Sequence, residues 1–202
     1  AALEGYKDVA GVKIQVFYPV DGVSKIQKRQ MAVQAGKNVG VCAIQGNFDD
    51  AQSAVKEIFA DEAMKADLAS AGMEFSSANS INFGRLVPQI VYYVSAYCDL
   101  LKSGKLAEGE SFNVAVPTGN FGNILAAEYA RRMGVPIARL ICASNRNNIL
   151  TDFIRTGVYD RKRPFYTTSS PSMDILISSN LERLLYHLYG ENPESVRTLM
   201  EQ

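Results

Sequence analysis

The sequence has no surplus of either charge: 21 Lys and Arg stand against 21 Asp and Glu, for a formal net charge of zero. A domain that holds nucleic acid or an acidic membrane by surface charge carries a basic excess, so neither partner is expected. No apolar run reaches the length of a membrane span, and the opening residues lack the zones of a secretory signal. A cytoplasmic protein is expected. Cysteine is scarce and odd in number, and Cys42, Cys98 and Cys142 form no CxxC pair. That argues against a disulfide framework and a cysteine-built metal site; buried free thiols in a reducing compartment are expected. The single histidine, His187, has no serine or cysteine motif to work with, so its expected role is structural and no metal centre is expected.

What is present is an ordinary globular mixture. With 202 residues, 47% of them hydrophobic and 21% charged, the chain is long enough to bury a core in one large domain or two small ones. Residues 12–18 alternate apolar and polar side chains up to Pro19, which predicts a strand. A turn at Asp21-Gly22 follows, and Ser24 is placed to cap a helix over 25–35, with Ile26, Met31 and Val33 facing inward and Gly36 closing it. Residues 39–44, VGVCAI, are continuously apolar, as in a parallel strand covered on both faces. Helices are predicted over 49–60 and 62–71, so the first third reads βαβα. A polar stretch over 75–82 then leads into a long helical pattern ending at Lys102, whose start is at Asn82 or as late as Pro88. A short buried strand over 113–116, a helix from Ile124 onward, a return strand over 137–142 and helices over 149–156, 181–189 and from Pro193 complete an α/β chain. A boundary near residue 78 separates a smaller βα part, 1–78, from a larger part, 79–202. Both ends read as helix interior without a cap, so a piece of a longer protein is expected.

The chain is organised around PTGNFGN. Pro117 ends the strand, and Thr118, Gly119, Asn120, Phe121, Gly122 and Asn123 lead directly into the helix. Gly119 and Gly122 lack a Cβ and can take positive φ or let a ligand approach the backbone closely. The free N–H groups of the first helical turn and the positive end of the helix dipole favour an anion, most simply a phosphate. Tight strand–helix packing is the structural alternative. No GK[ST] follows, so the loop is not that of a nucleoside triphosphatase. A dinucleotide site would need a third glycine and an acid about twenty residues on, and the next strand ends in Cys142-Ala143-Ser144-Asn145 with no acid after it before Asp152. A lone phosphate ester fits better.

A second candidate lies in SANSINFGR. Arg85 stands near a helix start, where the dipole disfavours a cation, beside Asn79, Ser80 and Asn82. Broken local rules often mark sites, and the guanidinium fork suits a phosphate or carboxylate. The alternative is an N-cap at Asn82 and a merely exposed arginine. The basic loop at Arg161, Lys162 and Arg163 reads as solvated.

The motifs GVSKIQKRQM, GNFDDAQ, SANSINFGRLVPQIVYY, PTGNFGN, NNILTDFIRTG and SPSMDILISSNLERLL run the length of the chain. Through them it closely resembles the threonine synthases, pyridoxal-phosphate (PLP) enzymes of the tryptophan-synthase-β-like fold, also called fold type II. The resemblance implies a three-layer α/β/α architecture around a parallel sheet, with 79–202 contributing to the large PLP-phosphate-binding domain. It implies PLP as cofactor and electron sink, and O-phospho-L-homoserine as substrate, converted with water to L-threonine and phosphate. It places the PLP phosphate on Thr118, Gly119, Asn120, Phe121, Gly122 and Asn123, and the substrate near Asn79, Ser80, Asn82 and Arg85. The family's Schiff-base lysine, in an FKD-type motif, and its DTG loop lie earlier than anything in this chain, and none of the ten lysines has that context. The segment that meets the pyridine nitrogen would fall after Gln202. The resemblance therefore implies a central piece that holds the phosphate anchor without the catalytic base and is inactive alone. Two rivals stand beside it: a dehydratase or cysteine synthase of the same fold, and a non-catalytic anion-binding module.

Overall fold

The computed structural model describes residues 2–20 and 22–201; Asp21, with its part of the Asp21-Gly22 turn, lies outside the described residues, as do Ala1 and Gln202. The chain divides into two compact units, Ala1–Ser76 with Thr167–Ser172 and Ser77–Tyr166 with Met173–Gln202.

The first unit contains α1 (Ala2–Tyr6), β1 (Ile14–Pro19), α2 (Lys25–Ala32), β2 (Val39–Ile44), α3 (Phe48–Ala60) and α4 (Glu62–Ser70). β1 and β2 run parallel, in register from Ile14 opposite Val39 to Pro19 opposite Ile44. Capping boxes start two helices, Ser24 with Gln27 for α2 and Asn47 with Asp50 for α3. α2 stops at Ala32, before the expected Ala35: the Val33 N–H makes the last i→i−4 bond, to Arg29 O at 3.0 Å, and the Gln34 N–H turns to Met31 O at 3.2 Å. The inward face expected for this helix is not formed: Ile26 and Val33 are 71% and 74% exposed. Its two apolar side chains before the cap, Ile26 and Met31, are five positions apart, a spacing that puts them on different faces. β2 likewise departs from the doubly covered strand. It pairs with β1 alone, and Cys42 and Ala43 are exposed.

The second unit holds the main core. Its elements are α5 (Phe83–Lys102), β3 (Phe112–Pro117), α6 (Gly122–Arg132), β4 (Ile137–Ala143), α7 (Ile149–Thr156), α8 (Leu181–Leu188) and α9 (Pro193–Met200), while a 3-10 turn at Pro171–Met173 spans the boundary between the units. β3 and β4 pair in parallel, with a register shift between Phe112 and Asn113. Parallel pairing across an intervening helix places the chain in the α/β class, as expected. α5 starts at Phe83, and the Asn82 side chain caps it by accepting from the Gly84 N–H at 2.9 Å. Pro88 falls within this helix, where it removes only the bond that would have reached the carbonyl of the exposed Gly84. α6 is almost wholly buried. Its Leu125, Ala126, Ala127 and Ala130 are fully excluded from solvent and pack with Leu86, Tyr93, Ile149 and Leu185.

β3 was expected to be buried throughout, but its residues alternate between half-buried and exposed up to the buried Val116. With two strands in the sheet, one face of β3 receives most of the cover. The thiols also differ from expectation: Cys42 and Cys98 are exposed and Cys142 is half-buried. Cys98 lies on α5 away from the core cluster. Burial pushes the Cys142 thiol up, partly offset by its hydrogen bond with Thr118. His187 is integrated into packing, with Nε2 3.0 Å from the Tyr129 hydroxyl and Nδ1 3.2 Å from a Glu191 carboxylate oxygen. No described helix is long and apolar enough to cross a membrane.

Candidate functional site

The strand–loop–helix unit begins where β3 runs out. The Thr118 N–H donates to Ala143 O at 2.8 Å, and its hydroxyl donates back to Val116 O at 2.7 Å, so the loop leaves the sheet from a fixed point. Phe121 is the N-cap of α6, with φ 64° and ψ 0°. This corrects the expectation that glycine supplies the left-handed residue, because neither Gly119 nor Gly122 has positive φ. Burial explains the exchange: the Phe121 ring is 7% exposed within the core cluster, and that packing holds a conformation an unpacked phenylalanine would leave. What the glycines provide instead is close packing against neighbouring side chains. A Cβ on Gly119 would lie 2.8 Å from Ile175 Cδ1, and one on Gly122 would lie 3.2 Å from Ser80 Cβ.

No side chain caps α6. Its first backbone bond runs from the Leu125 N–H to Phe121 O at 3.1 Å, leaving the Gly122, Asn123 and Ile124 N–H groups without an intrahelical acceptor. These donors coincide with the positive end of the helix dipole. Chemically, the arrangement is suited to hold an oxyanion by backbone hydrogen bonds.

The predicted polar residues divide into those already engaged and those with capacity left. The Asn123 side chain faces helix α5: its Oδ1 accepts from the Tyr93 hydroxyl at 2.6 Å and its Nδ2 donates to Gln89 at 3.0 Å. Only its backbone is available to the cradle. Asn82 is used at both ends, by the Gly84 N–H and by Ser77 O. Asn79 Oδ1 accepts from the Ser80 hydroxyl and the Ile81 N–H, closing the turn before α5. Ser80 also accepts from Asn180 Nδ2 at 3.3 Å, and so connects this turn to the Gly122 surroundings. Arg85 is exposed and donates from Nε to Ala78 O at 2.8 Å. The capping reading of Asn82 is therefore correct, while the terminal nitrogens of Arg85 lie at the surface beside the same turn.

Three residues that sequence reasoning left without a role complete this region. Ser178 donates its hydroxyl to Gly119 O, and Asn180 donates to Asn120 O from both its backbone N–H, at 3.1 Å, and its Nδ2, at 3.0 Å. Arg183 donates from Nη2 to Ile81 O at 2.8 Å. A polar SSN run immediately before an amphipathic helix was the available signal, although nothing local shows that its targets lie some sixty residues away. A further polar cluster holds the loop after β4, where the buried Asp174 accepts from Asn145 Nδ2 at 2.7 Å and Asn147 Nδ2 at 3.1 Å.

No family model matches the chain. Curated relatives do. "Threonine synthase-like 1" of Macaca fascicularis is 46% identical over all of this chain and 28% of its own length. Threonine synthase of Pseudomonas aeruginosa is 44% identical over all of this chain and 40% of its own. Among solved structures, a PLP-bound threonine synthase from Brucella melitensis matches with a TM-score of 0.81 and 42% identity, over 99% of this chain and 41% of that one. The Escherichia coli threonine synthase matches with a TM-score of 0.80 and 31% identity, covering 93% and 42%.

Over the length it spans, the chain belongs to the threonine synthase family. Its α/β fold with parallel sheets is that of the solved threonine synthases, so the fold type II expectation is met. The chain spans between about a quarter and two fifths of the relatives it matches. The residues present fit the phosphate of PLP, the group named with the Brucella threonine synthase: a loop narrowed at two glycines opens onto an uncapped helix. They do not supply a buried amine, because all ten lysines are exposed.

Proposed function

We propose that this chain forms the phosphate-anchoring part of a PLP-dependent lyase, a threonine synthase that converts O-phospho-L-homoserine and water to L-threonine and phosphate. The carrying observation is the uncapped first turn of α6 behind a loop in which Gly119 packs closely against Ile175. PLP, when bound, supplies the electron sink for elimination and for addition of water. The residues of this chain do the holding. Backbone N–H groups from Gly119 to Asn123 bind the cofactor phosphate, and the Thr118 bonds fix where that loop leaves the sheet. Arg85, with Nε anchored on Ala78 O, presents its remaining guanidinium nitrogens to a phosphate or carboxylate of the substrate beside Asn79 and Ser80. The curated relatives named threonine synthase and threonine synthase-like support the family more directly than the particular substrate. Without a covalent partner, the cradle holds PLP by a few hydrogen bonds opposed by association entropy, so this chain alone binds it weakly and is inactive.

The test is a titration of the full 202-residue chain with inorganic phosphate, followed through backbone amide NMR shifts. Phosphate is a cleaner probe than PLP, whose aldehyde reacts with exposed lysines. Saturable shifts at Gly119 to Asn123 are expected, and in Arg85→Ala they persist while any shift at Asn79 to Asn82 disappears. A loop that does not respond would reduce PTGNFGN to a packing motif.

A further inference from the structure

The loop that meets the anion is held from outside. Ser178 and Asn180 place three donors on two consecutive carbonyls, Gly119 O and Asn120 O. Both acceptors belong to trans peptides, since no described peptide bond is cis. In a trans peptide the C=O and the following N–H point in opposite directions. Pinning Gly119 O and Asn120 O therefore aims the Asn120 and Phe121 N–H groups away from the 178–180 segment. Neither N–H donates to a backbone acceptor in the described structure. Without the clamp, either peptide plane can rotate and exchange donor for acceptor, turning an anion cradle into one that repels anions.

The clamp is built rather than incidental. Asn180 is fully buried and Ser178 is 7% exposed. Asn180 also donates to Ser80 and lies where a Gly122 Cβ would meet it at 3.4 Å. Its Oδ1, like that of Asn120, is buried without a hydrogen-bond partner. A buried amide with one end unsatisfied is costly. Its cost is explained if its donors have a positioning task that an apolar residue could not perform.

We propose that Ser178 and Asn180 are positioning residues that fix the peptide orientations of the PTGNFGN loop, so that its N–H groups are preset for the phosphate of the cofactor. The assignment rests on the cradle reading. It adds that anion affinity is set by side chains outside the loop, which themselves need not touch the anion.

The experiment compares the full chain with Ser178→Ala, Ser178→Thr and Asn180→Ala, using inorganic phosphate as probe and amide order parameters of Gly119 to Gly122 as a second readout. Ser178→Ala removes one hydroxyl with little loss of volume and serves even where Asn180→Ala fails to fold. In folded variants, loss of a clamp donor is expected to weaken phosphate binding about tenfold and lower the loop order parameters, as for one net hydrogen bond that preorganises the site. Ser178→Thr, which keeps the donor, should restore both. If Ser178→Ala binds phosphate as tightly as the unmodified chain with an equally ordered loop, the positioning role is overturned while the cradle stands. A lack of binding in the unmodified chain would instead overturn the cradle, and the positioning role with it.

Discussion

Tyr93 shows how one hydroxyl outside the loop secures the start of α6. It donates toward both Asn123 Oδ1 and Asn123 O, at 2.6 and 3.0 Å, and is 8% exposed. Burial raises its pKa from 10.0 to about 12. Between these values the unfolded chain releases the phenolic proton while the native chain keeps it. Stability is therefore fully present below pH 10.0 and falls as pH rises toward about 12. Tyr93→Phe should cost about 1–2 kcal/mol at neutral pH, because Asn123 loses its donor, and should flatten the alkaline decline. Urea unfolding at several pH values measures both, and an undiminished alkaline slope in Tyr93→Phe would assign that slope to other groups. At this scale the sequence was informative about residue type and poor about use. The strand, loop and helix that hold Thr118, Gly119 and Gly122 could be located from periodicity alone. The Asn82 cap was legible as one of two readings of SANSINFGR, but that Asn123 spends its side chain on α5 was not, because that partner is set by packing. Ser178 and Asn180 escaped for the same reason: a serine and an asparagine before a helix look like caps until their distant acceptors are known.

Among the elements, α6 is the one whose environment leaves least freedom. Ala126, Ala127 and Ala130 are 0% exposed, with side chains small enough for neighbouring elements to approach the helix axis closely. Ala127→Leu adds three heavy atoms where there is no space and should destabilise the chain by roughly 1–3 kcal/mol. A urea midpoint equal to that of the unmodified chain would show slack in this interface. The helix itself was legible, since Ile124, Leu125, Ala127 and Tyr129 repeat with its period. Its left-handed start was not, because phenylalanine has no local preference for that conformation and only burial holds Phe121 there. The opposite error occurred at α2. There, apolar residues suggested an inward face, but eight residues with Ile26 and Met31 five apart have no coherent stripe, and Ile26 is exposed.

At the scale of the whole chain, the two units differ in how much each buries. Among the described residues, the cluster of fifteen buried apolar side chains from Leu86 to Leu185 lies entirely in the second unit. The first unit has Leu3, Tyr18 and Pro19 buried, while Phe17, Ile26 and Val33 are exposed. The alternation of strands and helices was sufficient to read both as parallel α/β, but burial was not, since continuous apolar strands such as VGVCAI imply cover on both faces and β2 has a single neighbouring strand. Opening free energy follows local buried apolar area. Amide hydrogen exchange on the intact chain should therefore be slowest along α6 and β3, and faster by a factor of roughly ten or more along β1 and β2, as about 1.4 kcal/mol of difference in opening would give. Peptide-level mass spectrometry resolves these segments. Equal protection in β2 and α6 would mean that the chain opens as one cooperative body, with a stability that the small core of the first unit does not explain. Faster exchange in β1 and β2, with α6 protected, would show that the PTGNFGN strand–loop–helix belongs to the more stable of the two units.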